Sequence, residues 1–289
     1  MQSTTRTIYG SKFQTNLLLG LPHEVDPFTT LNERFDVFPN QSVPQGSRPS
    51  MMYYCIGYGG HRNQVGADNT PYTAAIKHSP ADAGLFKPLP FVLREVDNDL
   101  SGQERQKYAI RRRETIGGTD YFAYYLKRID LSGVSPQMTR TTVSGGVSST
   151  TEFTPDSSNL EPTPAEIPAQ GAVTTLGDYL SVTATVEILF DAADVNELIN
   201  VANIKFENDN LAIISEIGLV AGIDQTVTGE NAEGSNTVSY EEALRAQVIN
   251  HVTAYYAVGF TQRGFDFRVE LGATEPLLGP SQVTVDPTP

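Results

Sequence analysis

The chain has 289 residues, 39% of them hydrophobic, with 13 Tyr, 13 Phe and no Trp, and a formal net charge of −14. That charge argues against bulk binding to nucleic acid or to anionic membranes. The single cysteine, Cys55, excludes an internal disulfide framework and fits a reducing compartment. No apolar run reaches the ~20 residues that a bilayer-spanning helix needs. The opening MQSTTRTIYGSKFQ lacks the apolar centre of a signal peptide, so a soluble chain made in the cytoplasm is expected.

The charge is unevenly spread. Residues 1–140 carry 16 Lys and Arg against 13 Asp and Glu, and residues 141–289 carry 4 against 21. One half is near-neutral and locally basic, the other strongly acidic. Unlike surfaces of this kind suit head-to-tail association of successive copies; the bland alternative is ordinary solubility with no partner information.

Residues 1–50 are rich in Thr, Ser, Gln, Asn and Pro, with apolar residues in short bursts, and read as a long N-terminal arm. Residues 51–139 read as a β-rich segment that opens on the apolar strand Met51–Gly57, where Cys55 is expected to be buried and inert. Gly57-Tyr58-Gly59-Gly60-His61 fails as a dinucleotide-binding loop, because Arg62 stands where the third glycine belongs and no helix follows.

The densest local signals lie between Pro88 and Asp130. Asp97–Gly102 matches the first half of a calcium loop, but Tyr108 stands where the bidentate Glu is required, so a capped turn is the better reading. Ser101 and Glu104 form a capping box for a short helix over Gly102–Lys107. Tyr108–Arg113 then alternates at strand period, Gly117-Gly118 supplies a tight turn, and Asp120–Ile129 returns as the second strand of a hairpin. Both faces of that return strand are apolar or aromatic. A central strand covered on both sides explains this; so does an interface face rich in Tyr and Arg. The residues proposed for such an interface are Arg105, Lys107, Arg111, Arg112, Arg113, Tyr121, Tyr124, Tyr125 and Arg128. A short basic run in an acidic protein would bind nucleic acid only weakly and with strong salt dependence, so no specific nucleic-acid partner is expected.

Residues 140–175 are dominated by Ser, Thr, Pro and Gly and read as a linker, or as an arm that orders on a neighbour. Phe153, Leu160 and Ile167, spaced by seven, are its candidate anchors. Residues 176–272 read as an α+β segment. It contains an alternating strand Leu180–Phe190, a helix Ala192–Phe206 capped by Asp191, an apolar strand Leu211–Ala221, a polar loop Gln225–Thr237, a second helix Tyr240–Tyr256 and a final strand Gly264–Leu271. Residues 273–289 read as a C-terminal tail. The segments 51–139 and 176–272 either form two domains or share one.

No chemistry-bearing motif emerges. His23, His61, His78 and His251 are too dispersed for a sequence-local metal site, and there is no nucleophile elbow. The expected fold is α+β and β-rich, with antiparallel sheets, two main helices and long extended arms. No catalytic residue, cofactor or metal is expected.

The segments PLPFVLREVDNDLSGQERQKYAIRRRE, TDYFAYYLKRIDLS, AIISEIGLVAGID and YEEALRAQVINHV together resemble a family of tailed-bacteriophage virion structural proteins, over roughly residues 75–260. Some members of that family are neck or collar components at the head–tail junction. The resemblance implies a non-enzymatic subunit located in the virion and made in the host bacterial cytoplasm. It implies several copies, and neighbours such as portal, connector, tail tube or sheath proteins. Another virion position (tail, baseplate or capsid decoration) is the alternative. A host- or carbohydrate-binding module is disfavoured by the absence of Trp, the usual sugar-stacking residue.

Overall fold

The computed structural model describes residues 3–26, 30–38, 40–159, 173–230, 237–261 and 263–280. It is β-rich and antiparallel, with two long helices, as the sequence predicts. The chain divides into two units. Unit 1 comprises residues 1–130 and 190–265; unit 2 comprises residues 131–189 and 266–289.

Unit 1 is built on one sheet. Its chain order begins with β1 (Ser3–Arg6), β2 (Ser50–Gly57), the ribbon strands β3 (His61–Val65) and β4 (Pro71–Ala75), β5 (Pro88–Leu89) and β6 (Val92–Glu95). Then come β7 (Tyr108–Ile116) and β8 (Thr119–Arg128). Unit 2 contributes β9 (Gln137–Ser144), β10 (Val147–Glu152) and β11 (Val173–Phe190), the last of which ends at the first residue of the returning unit 1 chain. β12 (Ile213–Glu230) and β13 (Thr237–Ala257) complete unit 1, and β14 (Phe265–Pro280) leads back into unit 2.

The main sheet runs β1-β13-β12-β2-β8-β6, with β5 on β2 and β7 on β8. At its centre, residues 212–223 of the β12 region and residues 243–254 of β13 are buried without a break. Sheets covered on both faces bury continuous runs rather than alternating ones. The segment Tyr240–Tyr256, expected as a helix, is therefore a correction: it is the longest strand of the fold. Leu244, Val248 and Val252 do sit at helical spacing, but Ala246, Asn250 and His251 between them are just as buried, so the spacing selects no face. Ser239 and Glu242, at the start of that expected helix, both lie in β13, paired with Thr228 and Gln225 of β12. Gln225–Thr237 is also not all loop, because β12 extends to Glu230.

The N-terminal arm is a second correction. Thr7 caps α1 (Ile8–Leu19), accepting from the Gly10 amide, and Gly20 closes it in the left-handed conformation. The Thr7 hydroxyl donates to the Val248 carbonyl at 2.8 Å, which fixes the helix start to β13. A Cβ on Gly10 would lie 2.2 Å from the Ile249 carbonyl oxygen, so only glycine lets the helix lie this close. A short helix α2 (Thr30–Phe35) follows, and Asn32 accepts from the Ala246 amide. Much of the segment read as an arm is therefore part of the core of unit 1.

The β7–β8 hairpin forms as expected, with Gly117 and Gly118 both at positive φ in its turn. It is preceded by α3 (Gly102–Arg105), where Ser101 accepts from the Glu104 amide. β8 is paired along one edge by β7 and along the other by β6 and β2, and its residues 123–126 are buried. It is the covered central strand, not a free face. α4 (Ala192–Phe206) has the predicted bounds, with a complete Asp191–Asp194 capping box and Val195, Leu198, Val201 and Ala202 buried. A one-turn helix α5 (Val258–Thr261) ends β13.

Unit 2 is a four-stranded sheet, β10-β9-β11-β14. Here lies the third correction. The Ser/Thr-rich stretch from residue 137 to residue 152 is a regular hairpin, β9–β10, turning at Gly145-Gly146 with both glycines at positive φ. The tail is corrected too, since β14 continues to Pro280.

Candidate interaction surfaces and a buried carboxylate cluster

Three places in the fold concentrate polar chemistry. The first is inside the main sheet of unit 1. Glu216 of β12 has a fully buried side chain. One carboxylate oxygen accepts from the amides of Gly59 (2.8 Å) and Lys87 (2.9 Å). The other accepts from the Phe86 amide (2.9 Å) and meets His78 Nε2 at 2.8 Å. The opposite ring nitrogen of His78 lies 2.9 Å from Asp82. The His78 ring stacks between Phe86 and His251, with centroids 4.0 and 3.8 Å away.

Burial works to raise the Glu216 carboxyl, but the His78 bond and the three backbone amides outweigh it and hold the carboxyl below its ordinary range. Burial, reinforced by neighbouring His78, lowers His251 to about 4. Both oxygens of Glu216 already accept two bonds each. That leaves no lone pair to abstract a substrate proton, so the arrangement is a buried clamp joining the 57–60 and 78–89 segments to β12. The glycine run before His61 belongs to the same clamp. A Cβ on Gly60 would lie 2.3 Å from the Ser215 carbonyl oxygen, and the Gly60 amide donates to the Ser215 hydroxyl.

The second place is the basic hairpin with the surface beside it. Most of its cations are satisfied within unit 1. Arg105 is buried, pairs with Glu242 at 2.8 Å and lies over the Tyr240 ring. Arg111 pairs with Asp99 and covers Phe122, Arg113 pairs with Asp120, and Arg128 pairs with Asp224. Lys127 meets Asp194 at 2.6 Å. Asp99, the central residue of the supposed calcium loop, thus serves Arg111 and the Tyr124 hydroxyl. Tyr124 and Tyr125 are buried in the core, Tyr121 is half-buried and Lys107 is exposed.

Arg112 has a different setting. It lines a cleft of about 510 Å³ together with Arg34, Lys87, Tyr58, Tyr125 and Lys205. Lys205 is paired there with Glu114, whose other oxygen accepts from the Tyr125 hydroxyl. Arg34, Lys87 and Arg112 make no ion pair among the described residues. A second cavity, of about 330 Å³, shares Tyr58 and Lys87 with the first and is otherwise lined mainly by apolar side chains such as Ile76, Phe206, Leu211 and Ile213.

The third place is the β9–β10 hairpin of unit 2. All six residues of β10 are exposed, and Val147 is 71% exposed. β10 is an edge strand of its sheet. A polar trough of about 640 Å³ runs beside it, lined by Thr139, Thr141, Thr150, Ser181 and Thr183 among others. Two hydroxyl pairs lie within it, Thr141–Thr150 at 2.8 Å and Ser181–Thr274 at 3.0 Å. Phe153, the first candidate anchor, is half-buried and follows β10 directly, its amide donating to the Met138 carbonyl. Leu160 and Ile167 lie outside the described residues.

Cys55 is buried, and burial first, then Glu216, pushes its thiol up to about 12, which removes it as a nucleophile. Among the described residues no cluster of His, Cys, Asp and Glu is arranged to hold a metal ion. None of these residues forms a helix long and apolar enough to cross a membrane.

A family model described as a family of unknown function (DUF7208) matches residues 1–286. No curated protein and no solved structure matches the chain.

Proposed function

The chain belongs to that family, and we propose that it is a non-enzymatic structural subunit of a tailed-phage virion, a neck or collar component present in several copies at the head–tail junction. The observation that carries the assembly role is the outer edge of unit 2. Among the described residues no strand pairs with the outer edge of β10, Val147–Glu152, and its six side chains are all exposed. Natural proteins guard such edges with Lys, Pro, bulges or a covering element. VSSTTE has neither Lys nor Pro and carries one charge, at its last residue. An edge of this kind accepts a further strand from a neighbour.

The placement in a virion rests on the resemblance of the segments around Pro88–Glu114, Thr119–Ser132, Ala212–Asp224 and Tyr240–Val252 to phage structural proteins. The clamp at Glu216 supports a scaffold rather than an enzyme, because its polar groups are spent on holding loops. The partners are other copies of the chain and neighbours such as portal, connector, tail tube or sheath proteins, with no cofactor.

The test is to purify virions and look for the chain by mass spectrometry, then locate it by antibody labelling in electron micrographs. Label at the neck, in multiple copies, is expected. Absence from the particle would end the virion reading, and label confined to tail, baseplate or head surface would move the subunit elsewhere.

A further inference from the structure

We propose that the cleft lined by Arg34, Lys87 and Arg112, with the apolar cavity beside it, receives a short acidic segment built around one apolar residue, supplied by a second copy of this chain. The inference rests on the multi-copy reading above and names the contact that holds the copies.

The cleft is drawn from several elements of unit 1. Arg34 comes from α2, Lys87 from the residues before β5, Arg112 from β7 and Lys205 from α4. Glu114 and Tyr125 form a neutralised floor with Lys205. Asp36 is the remaining carboxylate of the lining, against Arg34, Lys87 and Arg112. The site is thus left with a cationic excess inside a chain of net charge −14. Arg112 is half-buried, where the cost of desolvating its charge is already met in part by the fold.

The two cavities meet at Tyr58 and Lys87, whose ammonium lies over the Tyr58 ring at 5.5 Å. A ligand spanning them needs carboxylates on one side and an apolar side chain on the other. Nucleic acid fits less well, since the chain's overall charge opposes a phosphate backbone. An acidic peptide matches the charge division along the chain, because residues 141–289 hold 21 of the 34 acidic residues and 4 of the 20 basic ones.

Within that acidic half, Glu152-Phe153-Thr154-Pro155-Asp156 has the required pattern. Glu152 and Asp156 are exposed, Phe153 stands between them, and the stretch leaves the open edge strand β10 as irregular backbone. A segment that follows an edge strand as irregular backbone can meet a neighbouring molecule without unfolding its own sheet.

The experiment mixes full-length protein of natural and of 15N isotope composition and joins lysine amines to carboxylates with a zero-length carbodiimide. Cross-linked peptides are then read by mass spectrometry, alongside light scattering of the same samples. Cross-links from Lys87 or Lys205 to Glu152 or Asp156 of the opposite isotope are expected. Arg34→Glu, at an exposed position, is expected to lower their yield about tenfold with its melting temperature unchanged, and Phe153→Ala to do the same. An oligomer in which Arg34→Glu changes nothing and Lys87 joins no second copy overturns the cleft contact but leaves the multi-copy reading intact. Same-isotope links alone would make the contact internal to one chain and overturn the proposal. A monomer at every concentration overturns both. Retention of a single-stranded oligonucleotide that Arg34→Glu abolishes would reassign the cleft to phosphate and likewise overturn the peptide proposal.

Discussion

Glu216 shows how one side chain can hold separate segments together. Its carboxylate terminates three amides that belong to no strand pairing, and His78 adds the fourth bond. Glu216→Ala would strand those donors in a dry interior and is expected to cost about 3–5 kcal/mol, read as a fall in the urea midpoint. Glu216→Gln keeps the shape but turns one acceptor into a donor facing amides, so it is expected to recover only part of the loss. The cluster also sets an acid limit. His251 takes up a proton near pH 6.5 when unfolded but only near pH 4 when folded, so stability falls as pH drops through that window, by about 3 kcal/mol in total. Glu216, held below its ordinary 4.5, loses its own contribution below that value. Asp82 and His78 face His251 from the neighbouring loop; the Asp82 and Glu216 carboxylates both favour the protonated ring, but burial and His78 outweigh them. Unfolding midpoints should hold between pH 7.5 and about 6.5 and then decline toward pH 4.5, and a flat profile throughout would mean that the buried histidine is not felt.

Among the elements, α1 carries the sharpest test. Gly10→Ala places a methyl group against the Ile249 carbonyl, so α1 must lift from β13. A loss of about 2–3 kcal/mol is expected, although alanine is by itself the better helix former. No loss would mean that the helix is a detachable arm after all. The same element shows what was legible in the sequence. Thr7 and Gly20 are ordinary start and stop signals, yet IYGSKFQTNLLL presents little apolar face, with Leu17, Leu18 and Leu19 largely exposed, so the polar surroundings dominated the reading. α4 was legible to the residue because Asp191 caps it and one apolar stripe is buried. The β7–β8 hairpin was legible because two glycines separate alternating runs. β13 was misread because a strand buried on both faces keeps no period of two, and its buried Arg245, Gln247, Asn250 and His251 imitate a polar helix face. The β9–β10 hairpin carries a turn signal between threonine-rich, strand-favouring runs in TRTTVS-GG-VSSTTE, but its low hydrophobicity is equally that of a linker. The Glu216 clamp and the Arg34–Lys87–Arg112 cleft join residues far apart in the chain, which no local pattern announces.

At the scale of the whole molecule, association should be separable from folding. Lys substitutions at Ser149 and Thr151 of β10 guard its outer edge while leaving the strands of the main sheet untouched. The variant is expected to keep a cooperative melt but to lose the high-mass species in light scattering. If it fails to fold, the hairpin is part of the core of the protein rather than a contact surface. Raising salt from 50 mM to 500 mM should also shift mass toward monomer, because the screening length shrinks below the reach of the charge division.

The order of strands in the main sheet has a bearing on how the chain is made. Thr5 pairs with His251, and β2 lies between β8 and β12. β1 and β2 therefore find their seats only after β12 and β13, far along the chain, have emerged. At about 5–20 residues per second that interval is roughly 10–50 s. Throughout it, the apolar strand Met51–Gly57 has no β12 to join. Nascent chains of this protein are expected to be clients of holding chaperones until β12 and β13 close as a hairpin and collect β1, α1 and β2 at once.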